Sequence, residues 1–231
     1  MRIEPNGQFC QDFFVWSILN GKSGGYFLDI GAGIGGLAPI PHNPGFYSNT
    51  YILEQYKSWK GIAIDYDQRW CKFIAPYRQN SKILCEDLMQ RNINEILEES
   101  DCPTEIDYLS FDVDEAQEKV FEELDFGKYK FQVITYEHNL FQSYPDCDQN
   151  HPEEYRAKVV KRHALDRKKL INLGYKPIWE NVGEIANRPV EDFYVNEELF
   201  NKFKHNHQKE VITKSKHLQV YLSNFHSGAT A

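Results

Sequence analysis

The spacing of hydrophobic and polar residues along this chain changes between a strand-like pattern and a helical one. Five short runs rich in apolar side chains have the length and composition of strands: YFLDI, GIAIDYD, KILCEDL, IDYLSFDVD and KFQVITYEHN. Between them lie segments whose apolar residues recur every three or four positions, as on one face of a helix. Strands that alternate with helices in this way predict a mostly parallel sheet with helices on both faces.

The two ends of the chain extend this pattern. Phe9, Phe13 and Trp16 recur at helical spacing and predict an N-terminal helix, which the following Asn-Gly pair would stop. Residues 152–173 predict a long helix. Two close strands, YKPIWENVG and RPVEDFYVN, then predict an antiparallel pair. The expected fold is α/β and Rossmann-like, with a seven-stranded, mostly parallel sheet that includes an antiparallel strand.

The length of 231 residues predicts a single domain. We expect an N-terminal helical region at 1–23, a core at 24–196 and a C-terminal extension at 197–231. Loop 37–47, LAPIPHNPGFY, is a long connection of unassigned role. The segment HLQVYLSNF, in the polar tail, either adds an edge strand or stays loose.

Composition narrows the class of protein. The chain is 41% hydrophobic and 26% charged, as in soluble globular proteins, and its net charge of −8 argues against general nucleic-acid binding. No run approaches the ~20 apolar residues of a membrane span, and the first residues do not resemble a signal peptide. The five cysteines are scattered without a C-x-x-C pair. We therefore expect reduced thiols and a cytoplasmic location.

Four glycines crowd the turn after the first strand: Gly31, Gly33, Gly35 and Gly36. In an open α/β sheet, ligands bind beyond the carboxyl ends of the strands. Glycine permits positive φ and lets a ligand lie against the backbone. The turn therefore predicts a ligand site, although a tight turn without a ligand gives the same pattern.

Carboxylates end the strands that follow. Asp65 ends the second strand, Asp87 follows the third and Asp112 ends the fourth. Each of the first two could instead cap a helix. One ligand shared by all these acids would carry a ribose, an amine and a cationic amino-acid part, as S-adenosylmethionine does. The doubly anionic pyrophosphate of NAD fits poorly beside so many acids.

Four side chains are candidates for the chemistry: Asp112, Asp114, Glu137 and His138. A hydroxyl acceptor needs a base, or a metal that lowers its pKa. Asp112, Glu137 and His138 are the predicted catalytic residues and also the predicted ligands of Mg²⁺ or another divalent cation. Alternatively, His138 acts as a base without metal, or Glu137 and His138 pair with each other and with basic residues of the later helix.

Three further features allow two interpretations each. His42, in the long loop, either contacts the acceptor or is an ordinary surface histidine. Asp192, near the start of the last predicted strand, could point into the acceptor site. The stretch RAKVVKRHALDRKK either faces a phosphorylated or nucleotide-linked acceptor or is a solvated helix face.

These segments together resemble one family, the FkbM-type methyltransferases, over about residues 24 to 196. The matching pieces, in the family's order, are FLDIGAGIGG, SNTYILEQYKSWKGIAIDYD, IDYLSFDVDEAQ, VITYEHN, LGYKPIWENVG and EDFYV. The chain departs from the family where Asp65-Tyr66-Asp67 replaces a common Glu-Pro-Asn, and where Glu115 stands in place of a frequent glycine.

The resemblance implies methylation of a hydroxyl group by S-adenosylmethionine, with a sugar, nucleotide-sugar or glycan as the acceptor. It implies that the methionine part lies beside Gly31 and Gly33, that Asp65 holds the ribose, that Asp87 approaches the adenine and that Asp112 faces the reaction centre. The full predicted cofactor-binding set is Asp29, Gly31, Ala32, Gly33, Asp65, Tyr66, Asp87 and Asp112.

Other functions stay open at this point. The acceptor could be another small molecule, a protein or a nucleic acid, or the chain could bind the cofactor without turnover. Loss of the acids at 112 and 137 would favour a binding protein, and both acids are present. The oligomeric state is open, and a homo-oligomer is one of the states the sequence allows.

Overall fold

A computed structural model describes residues 5–33, 44–146, 151–183 and 188–206 of the chain. Its strands are β1 (Tyr26–Ile30), β2 (Lys60–Asp65), β3 (Ser81–Cys85), β4 (Glu105–Phe111), β5 (Lys130–Glu137), β6 (Tyr175–Val182) and β7 (Glu191–Asn196). They form one sheet in the order β3-β2-β1-β4-β5-β7-β6. β1 to β5 are parallel, and β7 runs antiparallel to both β5 and β6. The predicted fold class is confirmed.

The helices fill the connections between the strands. They are α1 (Gln11–Ile18), α2 (Tyr51–Lys57), α3 (Gln68–Ile74), α4 (Ile93–Glu99), α5 (Gln117–Glu123), α6 (Glu153–Asn172) and α7 (Glu197–Asn206). Asp67 and Asn92 cap α3 and α4, because each side chain accepts a backbone N–H of the first turn. None of the described helices is both long enough and apolar enough to span a bilayer.

Three predictions concern segments wholly or partly outside the described residues. They are the predicted roles of Gly35, Gly36 and His42, most of loop 37–47, and the edge strand at HLQVYLSNF. α7 was not predicted, because its sequence is polar and joins a histidine-bearing tail.

Side chains alternate between the two faces of the sheet, and each face has its own core. Leu28, Leu109 and Ile134 pack with residues of α4 and α5. Their neighbours Phe27 and Tyr108 face the other side, where α1 packs. The central strands are buried almost throughout, as expected for a sheet that is covered on both faces.

The strand order reverses between β1 and β4, since β2 and β3 lie on one side of β1 and β5 lies beyond β4. Ligands of open α/β sheets bind at such a switch point, beyond the carboxyl ends of the strands. β7 runs in the opposite direction, so its first residue, Glu191, lies at this same edge, opposite Glu137. The carboxyl ends of the parallel strands and the start of β7 therefore lie together at one edge of the sheet, which we call the switch-point edge.

Candidate active site

The glycine turn is wedged between the ends of β2 and β4. The N–H groups of Gly31 and Ala32 both donate to the carbonyl oxygen of Ile64, at 2.9 and 3.0 Å. Gly31 has a φ of +81°, and a Cβ atom there would lie 1.3 Å from the carbonyl oxygen of Asp112. Only glycine fits this position, because both the conformation and the close approach exclude a side chain.

Asp65 is tied to the turn by backbone groups. Its Oδ2 accepts the N–H of Gly33 at 2.8 Å, and its Oδ1 accepts the N–H of Asp67 at 2.7 Å. Burial raises the pKa of Asp65, while these two N–H groups act in the opposite direction. Each carboxylate oxygen keeps a further lone pair, so Asp65 is oriented and still able to accept bonds from a ligand.

Tyr66 and Asp87 follow β2 and β3, which are neighbours in the sheet. Tyr66 is 72% exposed, so its ring is available for stacking. Asp87 is exposed and accepts the N–H of Met89 at 2.9 Å, which makes it a turn-forming residue as well as a candidate ligand group. Both lie at the switch-point edge.

Asp29, by contrast, is buried behind the turn. Its Oδ2 accepts the hydroxyl of Thr50 at 2.6 Å, and Arg78 donates to the same hydroxyl at 2.7 Å. Arg78 is itself buried and pairs with Glu54 at 2.5 Å. Burial raises the pKa of Asp29, whereas Thr50 and Arg78 lower it. Asp29 thus anchors β1 to α2, and Ala32 is likewise buried.

Three acids meet beside the turn, and we call Asp112, Asp114 and Glu137 the acid cluster. One carboxylate oxygen of each lies within 4.8 Å of one oxygen of each of the other two. Asp112 and Glu137 are half-buried, whereas Asp114 is exposed and has a φ of +40°, a strained conformation for a residue with a side chain. The cluster is therefore open on the Asp114 side.

Electrostatics in the acid cluster favour proton uptake. Burial raises the pKa of Asp112 to about 7, against the lowering effect of a hydrogen bond with Glu137. Burial, followed by the charge of Asp112, raises the pKa of Glu137. A carboxyl pair of this kind holds one proton in common and can accept another near neutral pH.

Glu191 is a further buried acid at this edge of the sheet, outside the acid cluster, and it was not predicted from the sequence. It is 3% exposed, and its Oε1 accepts the side-chain N–H of Gln11 from α1 at 2.5 Å. Its Oε2 has no hydrogen-bond partner within the described part of the chain. The residue of this strand considered from the sequence was its neighbour Asp192. The available signal was the antiparallel β7, whose first residue must lie where the parallel strands end.

Asp192 lies in a different environment, on the other face of β7. Although burial alone would raise it, the pKa of Asp192 is held well below its usual range by His163 and other donors. The groups that donate to its carboxylate are His163 Nε2, Arg167 Nε and a terminal nitrogen of Arg167, Tyr194 Oη and the N–H of Asn181. We call Asp192, His138, His163 and Arg167 the balanced cluster, because a guanidinium offsets the carboxylate.

His138 belongs to this balanced cluster. Its ring centroid lies 4.2 Å from that of His163, and its Nε2 lies 3.7 Å from a carboxylate oxygen of Asp192. Its Nδ1 accepts the N–H of Leu140 at 3.1 Å, so the proton of the neutral ring is on Nε2. Burial lowers the pKa of His138 to about 3, which keeps the ring neutral.

The structure therefore brings together some of the predicted residues and separates others. Asp112 and Glu137 meet, and Asp114 joins them, but the ring of His138 lies apart from these acids. Glu137 ends β5 and His138 is the next residue, and successive side chains along an extended chain point to opposite faces. Of the predicted cofactor residues, Gly31, Gly33 and Asp65 are in contact around one turn.

Solved structures with the same architecture have low sequence identity to this chain. The methyltransferase domain of a bacterial Hen1 protein is 14% identical, with a TM-score of 0.50 over 81% of this chain and 98% of that domain. A TehB-like SAM-dependent methyltransferase from Corynebacterium glutamicum is 11% identical, with a TM-score of 0.43 over 80% and 87% of the two chains. An rRNA methylase from Streptococcus thermophilus is 13% identical, with a TM-score of 0.44 over 85% and 99%.

Family comparison is more specific. Among curated proteins, no sequence matches this chain. The family model described as the methyltransferase FkbM domain matches residues 29–176, well over half of the chain. This region contains the glycine turn, Asp65 and the acid cluster. The chain belongs to the FkbM methyltransferase family and is an S-adenosylmethionine-dependent methyltransferase.

Proposed function

We propose that this methyltransferase acts on a hydroxyl oxygen, and that its acceptor is a sugar, a nucleotide sugar or a glycan. The observation that supports the proposal is the carboxyl pair of Asp112 and Glu137, since the backbone carbonyl of Asp112 lies directly against Gly31 of the glycine turn. A hydroxyl is a weak nucleophile at neutral pH and needs a base in the transition state. A carboxylate whose pKa lies near 7 meets that requirement.

The residues at the edge fit the cofactor. The turn at Gly31 and Gly33 offers bare backbone, and Asp65 has lone pairs free for two ribose hydroxyls. Tyr66 offers a ring face and Asp87 a carboxylate to the adenine end. S-adenosylmethionine supplies the methyl group as an electrophilic carbon on a sulfonium. The acids nearby suit that positive charge.

In the proposed mechanism, the carboxyl pair positions the acceptor hydroxyl and takes its proton. The hydroxyl donates to Asp112 or Glu137, which aims a lone pair of its oxygen at the methyl carbon. As the new C–O bond forms and the C–S bond breaks, the hydroxyl proton moves to the carboxylate. The proton then leaves through the open side of the cluster, at Asp114.

The acid cluster can also hold a divalent cation in this proposal, with ligands that differ from the predicted ones. Asp112, Asp114 and Glu137 offer three oxygen ligands within 4.8 Å of one another, as hard cations prefer. His138 was predicted as a ligand, but its Nε2 carries a proton and is directed at Asp192. A cation there would be held by the acid cluster without His138. It would displace the proton that Asp112 and Glu137 share and would lower the pKa of the acceptor hydroxyl itself, in place of the carboxylate base.

The decisive experiment is a methyl-transfer assay with labelled S-adenosylmethionine. The acceptor panel contains sugars, nucleotide sugars and glycans, with a peptide pool and an RNA pool as other classes. Each reaction is run with Mg²⁺ and with EDTA. We expect label on a hydroxyl oxygen, located in the product by NMR.

Two results would contradict the proposal. Label on a nitrogen, or label found only in the peptide pool or the RNA pool, would show that the acceptor belongs to another class. Full activity of a variant in which Asp112 and Glu137 are both changed to their amides would remove the carboxyl pair from the chemistry. Activity that survives EDTA would contradict the role of the cation only, and the carboxylate would remain the proposed base.

A further inference from the structure

Two cysteines lie together at the switch-point edge, beside the residues proposed to hold the adenosine part of the cofactor. Cys71 is in α3, and Cys85 is the last residue of β3. β3 is the outermost strand and pairs with β2, and Cys85 lies opposite Asp65 in their register. The sheet therefore brings Cys85 to the same end as the predicted ribose ligand.

The two cysteine side chains lie on one face of the sheet. Cys71 packs in a small core with Ala63 of β2, and Ile83 of β3 packs against the same core. Cys85 is two positions after Ile83, and side chains along a strand alternate between faces, so Cys85 points the same way as Ile83. Both thiols thus lie on the face that α3 covers.

The sulfur atoms of this pair contact neighbouring backbone carbonyls. Cys71 Sγ lies 3.6 Å from the carbonyl oxygen of Asp65 and 4.0 Å from that of Leu84. Leu84 directly precedes Cys85, whose own Sγ lies 3.7 Å from the carbonyl oxygen of Tyr66. The two thiols also interact with each other, by a hydrogen bond between their side chains. Each sulfur is therefore within reach of the other.

The two thiols differ in their access to solvent. Cys71 is buried, and burial raises its pKa, whereas Cys85 is exposed. Thiolates are the reactive form of cysteine, and a buried thiol in apolar surroundings reacts poorly with reagents in solution. Cys85 is therefore the thiol that meets a reagent first. Cys71 lies beside it and can attack a sulfur that Cys85 already carries.

We propose that Cys71 and Cys85 are a dithiol site, which a small-molecule disulfide oxidises to an intramolecular disulfide that weakens cofactor binding. The Cys85 thiolate attacks one sulfur of the reagent and releases one reagent thiol, which leaves a mixed disulfide on Cys85. The Cys71 thiolate then attacks the Cys85 sulfur and releases the second reagent thiol. The protein loses two electrons and two protons, and the reagent takes them up as two thiols.

Oxidation of the pair would change the backbone contacts of the proposed cofactor site. The hydrogens of the two thiols are shared among the carbonyls of Asp65 and Tyr66 and the sulfurs themselves, whereas a disulfide has no hydrogen to donate. Asp65 and Tyr66 are the residues proposed to hold the ribose and to offer a ring face to the adenine end. The redox state of the pair would therefore act on cofactor binding, and not on the acceptor.

The test treats the purified chain with glutathione disulfide, blocks the remaining free thiols and digests the protein with trypsin. Cys71 falls in peptide 70–72 and Cys85 in peptide 83–91, so mass spectrometry shows directly whether the two are joined. We expect one disulfide-linked species of these two peptides. By calorimetry, the oxidised protein should bind S-adenosylmethionine about tenfold more weakly, as for the loss of two hydrogen bonds. Dithiothreitol should restore the affinity.

Three variants separate the roles of the cysteines. Cys71→Ser should stop at the mixed disulfide on Cys85, because the second attack is lost. Cys85→Ser should keep its cofactor affinity after the same treatment. Cys102→Ser is the matched control, since Cys102 is a half-buried thiol between α4 and β4, and it should behave like wild type.

Circular dichroism confirms that each variant is folded. If Cys71→Ser does not fold, Cys71→Ala replaces it, because a buried cysteine behaves as a small apolar residue.

Three results would overturn the inference. They are oxidised wild-type protein without the linked peptides, linked peptides without a change in cofactor affinity, and an equal loss of affinity in oxidised Cys85→Ser. None of these measurements uses an acceptor or a cation. A failure to find a hydroxyl acceptor would therefore contradict the proposed function and leave the dithiol site standing.

Discussion

Two groups of charged residues lie on opposite faces of the sheet in this protein. Glu137, the last residue of β5, belongs to one group, and His138, the next residue along the chain, belongs to the other. In the balanced cluster, Asp192 is fully buried and receives bonds from a guanidinium, an imidazole, a phenol and a backbone N–H. In the acid cluster, carboxylates face one another without a cation from the described part of the chain. The first group satisfies its charge internally, and the second does not.

The difference separates structural from functional roles. A buried carboxylate with a full set of donors joins β7 to α6 and stabilises the native packing. Carboxylates that repel one another cost folding free energy, so a role in binding or catalysis is the better explanation for them. We therefore expect Asp192 to stabilise the fold and Asp112 to take part in catalysis, and four experiments can test this expectation.

The largest effect is expected for Asp112→Asn. Loss of the base should lower kcat about a thousandfold, within the usual range for general-base groups. Cofactor affinity, measured by calorimetry, should stay within about tenfold, or about 1.4 kcal/mol. Asp101→Asn is the control, because Asp101 is exposed and its nearest cation, Lys82, is 3.6 Å away. A variant that turns over at the wild-type rate would exclude Asp112 from proton transfer.

Asp192→Asn should instead act on stability. It removes the buried counter-charge of Arg167 and leaves only the half-exposed Glu180, 3.5 Å away, and breaking a buried pair from one side costs about 3 kcal/mol. Urea unfolding measures this loss, and the kcat of the folded fraction should change little. If stability were unaffected while kcat collapsed, the two clusters would have exchanged roles.

The two clusters should also give opposite pH dependence of stability. The pKa of Asp112 is raised to about 7, so its favourable contribution is present below pH ~4 and is lost as the pH rises through about 7. Asp112→Asn should therefore be more stable than wild type at pH 8 and equal to it near pH 4.

The pKa of Asp192 is lowered, so its contribution is present above pH ~4 and is lost as the pH falls further. The deficit of Asp192→Asn should thus be full at pH 8 and shrink in acid. Urea unfolding of the three proteins at pH 4, 6 and 8 measures both trends. Parallel curves for the two variants would contradict the assignment.

The smallest effect is expected for His138→Asn. The asparagine oxygen can accept the N–H of Leu140, as Nδ1 does now, while the nitrogen directed at Asp192 is lost. Because the ring lies apart from the acid cluster, we expect kcat to fall less than about tenfold, less than 1.4 kcal/mol. A loss as large as that of Asp112→Asn would restore the predicted catalytic role of His138.

The sequence was sufficient for the fold and for the acids at the ends of parallel strands. Periodicity identified the strands, and parallel strands place residues such as Asp65, Asp112 and Glu137 at one edge. It was not sufficient for side-chain direction. His138 was grouped with Glu137 because they are neighbours in sequence, yet successive side chains at the end of β5 and just beyond it point to opposite faces. Glu191 and Gln11 were missed because their proximity depends on how β7 and α1 pack, which no local pattern encodes.

The close approach at Gly31 has a consequence for how this enzyme can change. The backbone that would lie under the methyl donor touches the backbone of Asp112, with no room for one carbon between them. A shift in either strand end would move donor and base together. New acceptor preferences would therefore have to arise from the segments around this junction, while the junction itself stays fixed.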